Sequence, residues 1–210
     1  MNKSLLFSVL LLVGCAGLSN HTINQQCDFD KAVCQQHLTD FNDDINKFQT
    51  DGAYLAVYDV TEHKYMEKLG TGIQNNRYKQ KNIENLLNIK SALTPDEMLQ
   101  QYIHRIKQNN HKEYAQTLKK LRENVETGTA RNANSKNCSV YGLTATDSMG
   151  NNAVVATFLG HFVKDDKTYA IIVTFDNPKP LKSTYGFTTS GWNATKLAGK
   201  IINSMCGGKR

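Results

Sequence analysis

Hydrophobic and polar positions follow two periods along this chain. The two-residue period dominates between Cys138 and Phe175. Three runs rich in Val, Ile, Thr, Tyr and Phe, at Cys138–Thr146, Ala153–Val163 and Thr168–Phe175, are separated by Ser-Met-Gly-Asn-Asn and Lys-Asp-Asp-Lys. Such runs favour strands, and the Gly, Asn and Asp between them favour turns. The links are too short for a parallel crossover, so the pattern predicts an antiparallel meander. An earlier alternating pair, Ala53–Val60 and Lys64–Leu69, flanks Thr61-Glu62-His63 and reads as a hairpin with Leu55 and Val57 on one face.

The three-to-four period covers most of the rest. Cys34, Leu38, Phe41, Ile45 and Phe48 form one stripe of a helix that Asp28 can cap and Asp51-Gly52 ends. Gly70–Lys81 is a polar loop, and its Gly-x-Gly lacks the third glycine of a nucleotide site. Asn82–Leu93 is weakly helical. Thr94-Pro95-Asp96-Glu97 is a strong helix start, with a Thr cap, Pro at the first position and Glu at the third. Met98, Leu99, Tyr102, Ile103 and Ile106 line that helix, Asn109-Asn110 breaks it, and Lys112–Val125 forms another. A terminal helix, Trp192–Met205, has Leu197, Ile201, Ile202 and Met205 as its stripe. The expected fold class is α+β, with one sheet of five antiparallel strands flanked by helices.

The first residues change the picture of where this domain sits. Lys3 precedes an apolar run, Leu5–Val13, too short for a bilayer span of about 20 residues. Leu12-Val13-Gly14-Cys15 fits a bacterial lipobox, so 1–14 reads as a lipoprotein signal peptide and Cys15 as the lipidated residue. Residue 16 is Ala, not Asp, which favours outer-membrane sorting, with the protein facing the periplasm. A polar tether, 15–27, would join the anchor to a single domain, 28–207. Loss of Lys3 lowers the 25 Lys and Arg by one against 19 Asp and Glu. With no basic stripe bearing interleaved aromatics, the composition argues against nucleic acid.

Cys27, Cys34, Cys138 and Cys206 remain after Cys15. In an oxidising periplasm they suggest two disulfides, with three possible pairings. The expected pairing is Cys27–Cys34 and Cys138–Cys206, the second tying the first meander strand to the terminal helix. No Cys-x-x-Cys or His-x-x-x-His spacing occurs, so no metal and no cofactor is expected. His161, on a strand, reads as a packed histidine, and a Cys138–His161 nucleophile–base pair is less plausible than a bonded Cys138.

Phe158-Leu159-Gly160, Phe175-Asp176-Asn177-Pro178 and Tyr185-Gly186-Phe187-Thr188-Thr189-Ser190-Gly191-Trp192-Asn193-Ala194 follow one another in that order. This order resembles the last part of the transpeptidase domain of penicillin-binding proteins, above all the monofunctional class of cell division. There a strand with Phe-Val/Ile-Gly and a strand ending Asp-x-Pro precede a Tyr-Gly-Phe-x-x-x-Gly-Trp-Asn-Ala type segment and a terminal helix. Gly128-Thr129-Ala130-Arg131 is similar to the element that precedes the family's Lys-Thr-Gly strand, which places Leu143-Thr144-Ala145-Thr146 on Lys-Thr-Gly-Thr. The resemblance marks Gly128, Phe158, Gly160, Tyr185, Gly186, Phe187, Gly191, Trp192 and Asn193 as framework. It implies that the first and last helices pack together on one sheet face, with the middle helices on the other.

The family's chemistry needs a nucleophilic Ser in Ser-x-x-Lys, a Ser-x-Asn and the Lys-Thr-Gly strand. No serine here has Lys three residues on. Ser135-Lys136-Asn137 lies too close to the strand for Ser-x-Asn, and Leu143 and Ala145 replace the Lys and Gly of Lys-Thr-Gly. Only Gly70–Gly128 stands where the family's nucleophile-bearing helical subdomain would be. The resemblance therefore implies a shortened pseudoenzyme with no catalytic residue. Its strand Leu143–Thr146 could still hold a peptide by main-chain hydrogen bonds. The expected role is binding or scaffolding of peptidoglycan or of an envelope complex, such as a secretion assembly. The alternatives are an active DD-transpeptidase or peptidase with an unrecognised nucleophile, and a regulator of an active penicillin-binding protein.

Overall fold

A computed structural model describes residues 22–108 and 112–207, so Cys15 and the signal segment lie outside the described residues. The sheet has six strands, not five: β1 (Asn24–Cys27), β2 (Gly52–Asp59), β3 (Lys64–Thr71), β4 (Ser139–Gly150), β5 (Ala153–Lys164) and β6 (Lys167–Asp176). Their order is β1-β3-β2-β6-β5-β4, every pairing antiparallel. The extra strand lies within the expected tether. Its sequence, Asn-Gln-Gln-Cys, has no β-rich signature. It is held by pairing with β3 and by the Cys27–Cys34 bond to the first helix.

Both hairpin turns of the meander follow local chemistry. Asn151 and Asn152 (φ 51° and 62°) and Asp165 and Asp166 (φ 48° and 61°) adopt left-handed backbone, as the tight turns of twisted hairpins require. The helices are α1 (Lys31–Phe48), α2 (Lys81–Leu87), α3 (Pro95–Lys107), α4 (Lys112–Glu126) and α5 (Ala194–Met205). Asp30, not Asp28, caps α1, accepting from Val33 N at 3.0 Å. Asp28 instead pairs with Lys64 Nζ at 2.6 Å. Thr94 and Glu97 form the expected reciprocal cap on α3. The helix expected over Asn82–Leu93 stops early: Asn88 turns left-handed (φ 57°), and Leu93 exchanges main-chain hydrogen bonds with Tyr78. The terminal helix starts at Ala194, not Trp192, with Asn193 Oδ1 accepting from Ala194 N at 2.6 Å.

The sheet separates two cores. On one face α1 and α5 pack Phe41, Ile45, Leu197 and Ile201 against Leu55, Phe158, Phe162 and Val173. On the other, α2, α3 and α4 pack Met98, Leu99, Tyr102 and Leu121 against Leu143, Leu159 and Ile172. Both expected disulfides are present, Cys27–Cys34 and Cys138–Cys206. The second closes a separation of 68 residues, which by chain entropy contributes about 4 kcal/mol.

Candidate functional site: the outer edge of β4

Leu143-Thr144-Ala145-Thr146 lies on β4, the last strand of the sheet, so one side of it has no strand neighbour. Alternation sends Leu143 and Ala145 into the core under α2–α4, where both are buried. A lysine at 143 would have to place its ammonium in that apolar layer. Thr144 and Thr146 point to the other face. Thr144 Oγ1 meets Thr129 Oγ1 at 2.6 Å, and both the N–H and the hydroxyl of Thr129 reach Asn124 Oδ1 at 3.1 Å. Thr146 Oγ1 accepts from Ser190 N at 2.9 Å and lies 2.9 Å from Ser190 Oγ.

The carbonyls of Val140, Gly142 and Thr144 point away from β5, and helix side chains occupy them. Arg122 Nη1 of α4 donates to Val140 O at 3.1 Å, and Asn124 Nδ2 to Gly142 O at 3.0 Å. Asn82 Nδ2 of α2 donates to Thr144 O at 3.0 Å. This stretch is therefore capped. Beyond it, residues 146 and 148–150 are exposed, and Met149 is a large apolar side chain standing in water. The accessible edge is the far end of β4, past the segment that the motif alignment marks.

The framework residues divide into two groups. Phe158 is fully buried, and its ring covers Gly142 and Gly160, which face each other across β4 and β5. A Cβ on Gly160 would fall 2.3 Å from Tyr141 O, so only glycine lets the strands approach here. Gly128 abuts Asn124, and Gly191 approaches Thr129 O closely while its own carbonyl accepts from Asn132 at 2.6 Å. These residues set the close approach of β4 to β5 and of the segment leading into α5 to Thr129 and Asn132. Tyr185 and Phe187 do not: they are 85% and 64% exposed. Trp192 is half-buried, outside both cores.

His161 is buried beside Tyr102, whose hydroxyl lies 2.7 Å from its Nδ1, and it stacks on Tyr141 at 4.7 Å. Burial pushes its pKa down to about 4. Cys138 is spent in its disulfide. Among the described residues no three His, Cys, Asp or Glu side chains gather as a metal site. A polar cleft of about 720 Å³ opens at the opposite edge of the sheet, between β1, β3 and the start of α3. Sequence reasoning missed it because β1 itself was missed. Asp96 accepts there from Tyr54 (2.6 Å) and Tyr65 (2.8 Å) and pairs with Lys68 (3.1 Å). Burial raises the Asp96 carboxyl, but those partners more than offset it and hold it below its usual range.

This arrangement of strands and helices has solved counterparts. The transpeptidase domain of the FtsI4 D,D-transpeptidase from Legionella pneumophila superposes with a TM-score of 0.70 over 85% of this chain and 97% of that one, at 11% identity. The fold is that of a penicillin-binding-protein transpeptidase domain. A second such domain, from Burkholderia pseudomallei penicillin-binding protein 3, gives a TM-score of 0.53 over 85% and 95% of the two chains at 10% identity. The TLA-3 extended-spectrum β-lactamase gives 0.55 over 82% and 98% at 9%. No protein-family model and no curated protein matches the sequence. In this transpeptidase-like fold, Leu143 and Ala145 of β4 are built into a core.

Proposed function

We propose that this chain is a non-catalytic envelope lipoprotein, anchored through Cys15 to the outer membrane, that uses its transpeptidase-like sheet to hold an extended peptide. The peptide would be a stem peptide of peptidoglycan or a segment of an envelope assembly. One observation carries the reading: Asn82 occupies the Thr144 carbonyl while β4 beyond Thr146 stays exposed. An acyl-transfer site needs a nucleophile and an oxyanion cradle facing that strand. Here an amide from α2 fills the space, and no serine has Lys three residues on. A short free strand end suits recognition by strand addition, which needs only main-chain donors and acceptors.

A fluorescent β-lactam added to the purified protein should leave no label that survives denaturation. A covalent adduct would overturn the pseudoenzyme reading and restore an enzyme with an unrecognised nucleophile. Co-sedimentation with isolated sacculi separates the ligands. Retention by sacculi identifies peptidoglycan, whereas its absence together with a cross-linked protein partner identifies an assembly. A partner that is itself an active penicillin-binding protein would make the chain a regulator.

A further inference from the structure

Four large apolar side chains are exposed among the described residues, and three of them gather at one end of the sheet. They are Met149 (42%), Tyr185 (85%) and Phe187 (64%); Val163 (36%) lies at the other end, paired with Ser139. The loop bearing Tyr185 and Phe187 is tied to the first end at both limits. Asn177 N donates to Val154 O at 2.7 Å, and Ser190 N to Thr146 Oγ1 at 2.9 Å. Within the loop the buried Thr184 hydroxyl lies 2.9 Å from Leu181 O and 2.8 Å from Phe187 O. Left-handed backbone follows at Tyr185 (φ 53°) and Gly186 (φ 77°). The two rings are therefore held out in water by a built turn.

The segment that carries the rings, from Asn177 to Asn193, has two lysines, Lys179 and Lys182, and no Asp or Glu. Lys179 and Lys182 are exposed beside the rings, and Lys47 stands exposed at the end of α1, where Phe48 O accepts from Lys179 N. Carboxylates nearby include Asp51, which accepts from Asn177 at 2.6 Å, Asp176, which accepts from Tyr78 at 2.8 Å, the half-buried Asp147, and the buried Asp44, which lies near Lys47 and pairs with Lys200.

The chain also enters the sheet at this end. The register runs Asn24–Gly70–Tyr54–Thr174–Thr157–Ala145 in one row across the six strands. Asn24 is thus level with the part of β4 that leads into Met149. Cys15 precedes Asn24 by nine residues, a reach of about 30 Å when extended. An anchor there would join the sheet nearer this end than the Val163 end.

We infer that this end of the domain docks on an anionic phospholipid surface, with Tyr185 and Phe187 entering the interface and Lys179 and Lys182 against the head groups. Rings with one apolar side and lysines on long stems suit that boundary. The inference rests on the anchoring through Cys15 proposed above, and it places any strand added to β4 next to the bilayer.

The acylated full chain, reconstituted in phosphatidylcholine–phosphatidylglycerol vesicles, tests it. Trp192→Phe removes the single tryptophan, and Tyr185→Trp or Val163→Trp then reports each end of the sheet through quenching by brominated lipid. Strong quenching at position 185, little at 163, and loss of the difference on adding Lys179→Glu and Lys182→Glu are expected. A vesicle-bound, acylated chain quenched equally at both positions, or at neither, overturns the docking alone. A chain with no acyl group on Cys15 by mass spectrometry that stays out of the vesicle fraction overturns anchor and docking together.

Discussion

The two halves of β4 are managed in opposite ways. From Val140 to Thr144 the outward carbonyls are met in turn by Arg122, Asn124 and Asn82, and the strand is sealed under α4 and α2. From Thr146 to Gly150 the strand projects past those helices into solvent. An unpaired edge invites further pairing, and folds blunt it by covering it. Here the cover stops part-way, so one strand serves as frame along half its length and as a free end along the other.

The frame half is where substitution should hurt most. Phe158→Ala empties the space over Gly142 and Gly160 and should cost about 3–5 kcal/mol in denaturant unfolding. A loss under about 1 kcal/mol would show that the sealed half is not held by that packing. His161 supplies the next effect. Its folded pKa, about 4, lies below the usual 6.5, so between those values the unfolded chain binds the proton and the native protein does not. Stability from this group is complete above pH 6.5 and falls by about 3 kcal/mol as pH drops to 4. His161→Gln should flatten that slope, and an unchanged slope would place the acid sensitivity elsewhere.

Asn82→Ala frees the Thr144 carbonyl and should cost about 1 kcal/mol. It should also lengthen the accessible edge and tighten binding of a β-strand peptide. Unchanged affinity would mean that the capped half takes no part in recognition. Ser148→Pro removes a donor from the free half. Proline is tolerated where a strand N–H faces solvent, so stability should change by less than about 1 kcal/mol while peptide binding is lost. Binding that survives would move the peptide site off β4.

Much of the frame was legible from residue patterns alone. The meander and its Asn and Asp turns follow alternation and turn chemistry, the Thr94 cap follows a short local motif, and both disulfides fit the expected pairing. The features that define the site were not legible. Asn82 and Asn124 reach β4 across 62 and 18 residues of sequence, and nothing local to either asparagine announces a carbonyl partner. β1 is polar and gains its strand character only by pairing with β3. Tyr185 and Phe187 read as framework from their motif, yet the Thr184-bonded turn carries them outward. Trp192 sits one residue ahead of the Asn193 cap, which leaves it outside the stripe of α5.

β1 has a mechanical consequence. It enters at Asn24 and runs away from that end of the sheet to Cys27, antiparallel to β3. A pull on the chain from the side of Cys15 would load β1 along its own axis. Its four residue pairs with β3 would then be sheared together and not unzipped one at a time. If they slipped, the Cys27–Cys34 bond would carry the force into α1, which is packed across the core beside α5. Under such a pull the load would enter along paired backbone and not at a single contact.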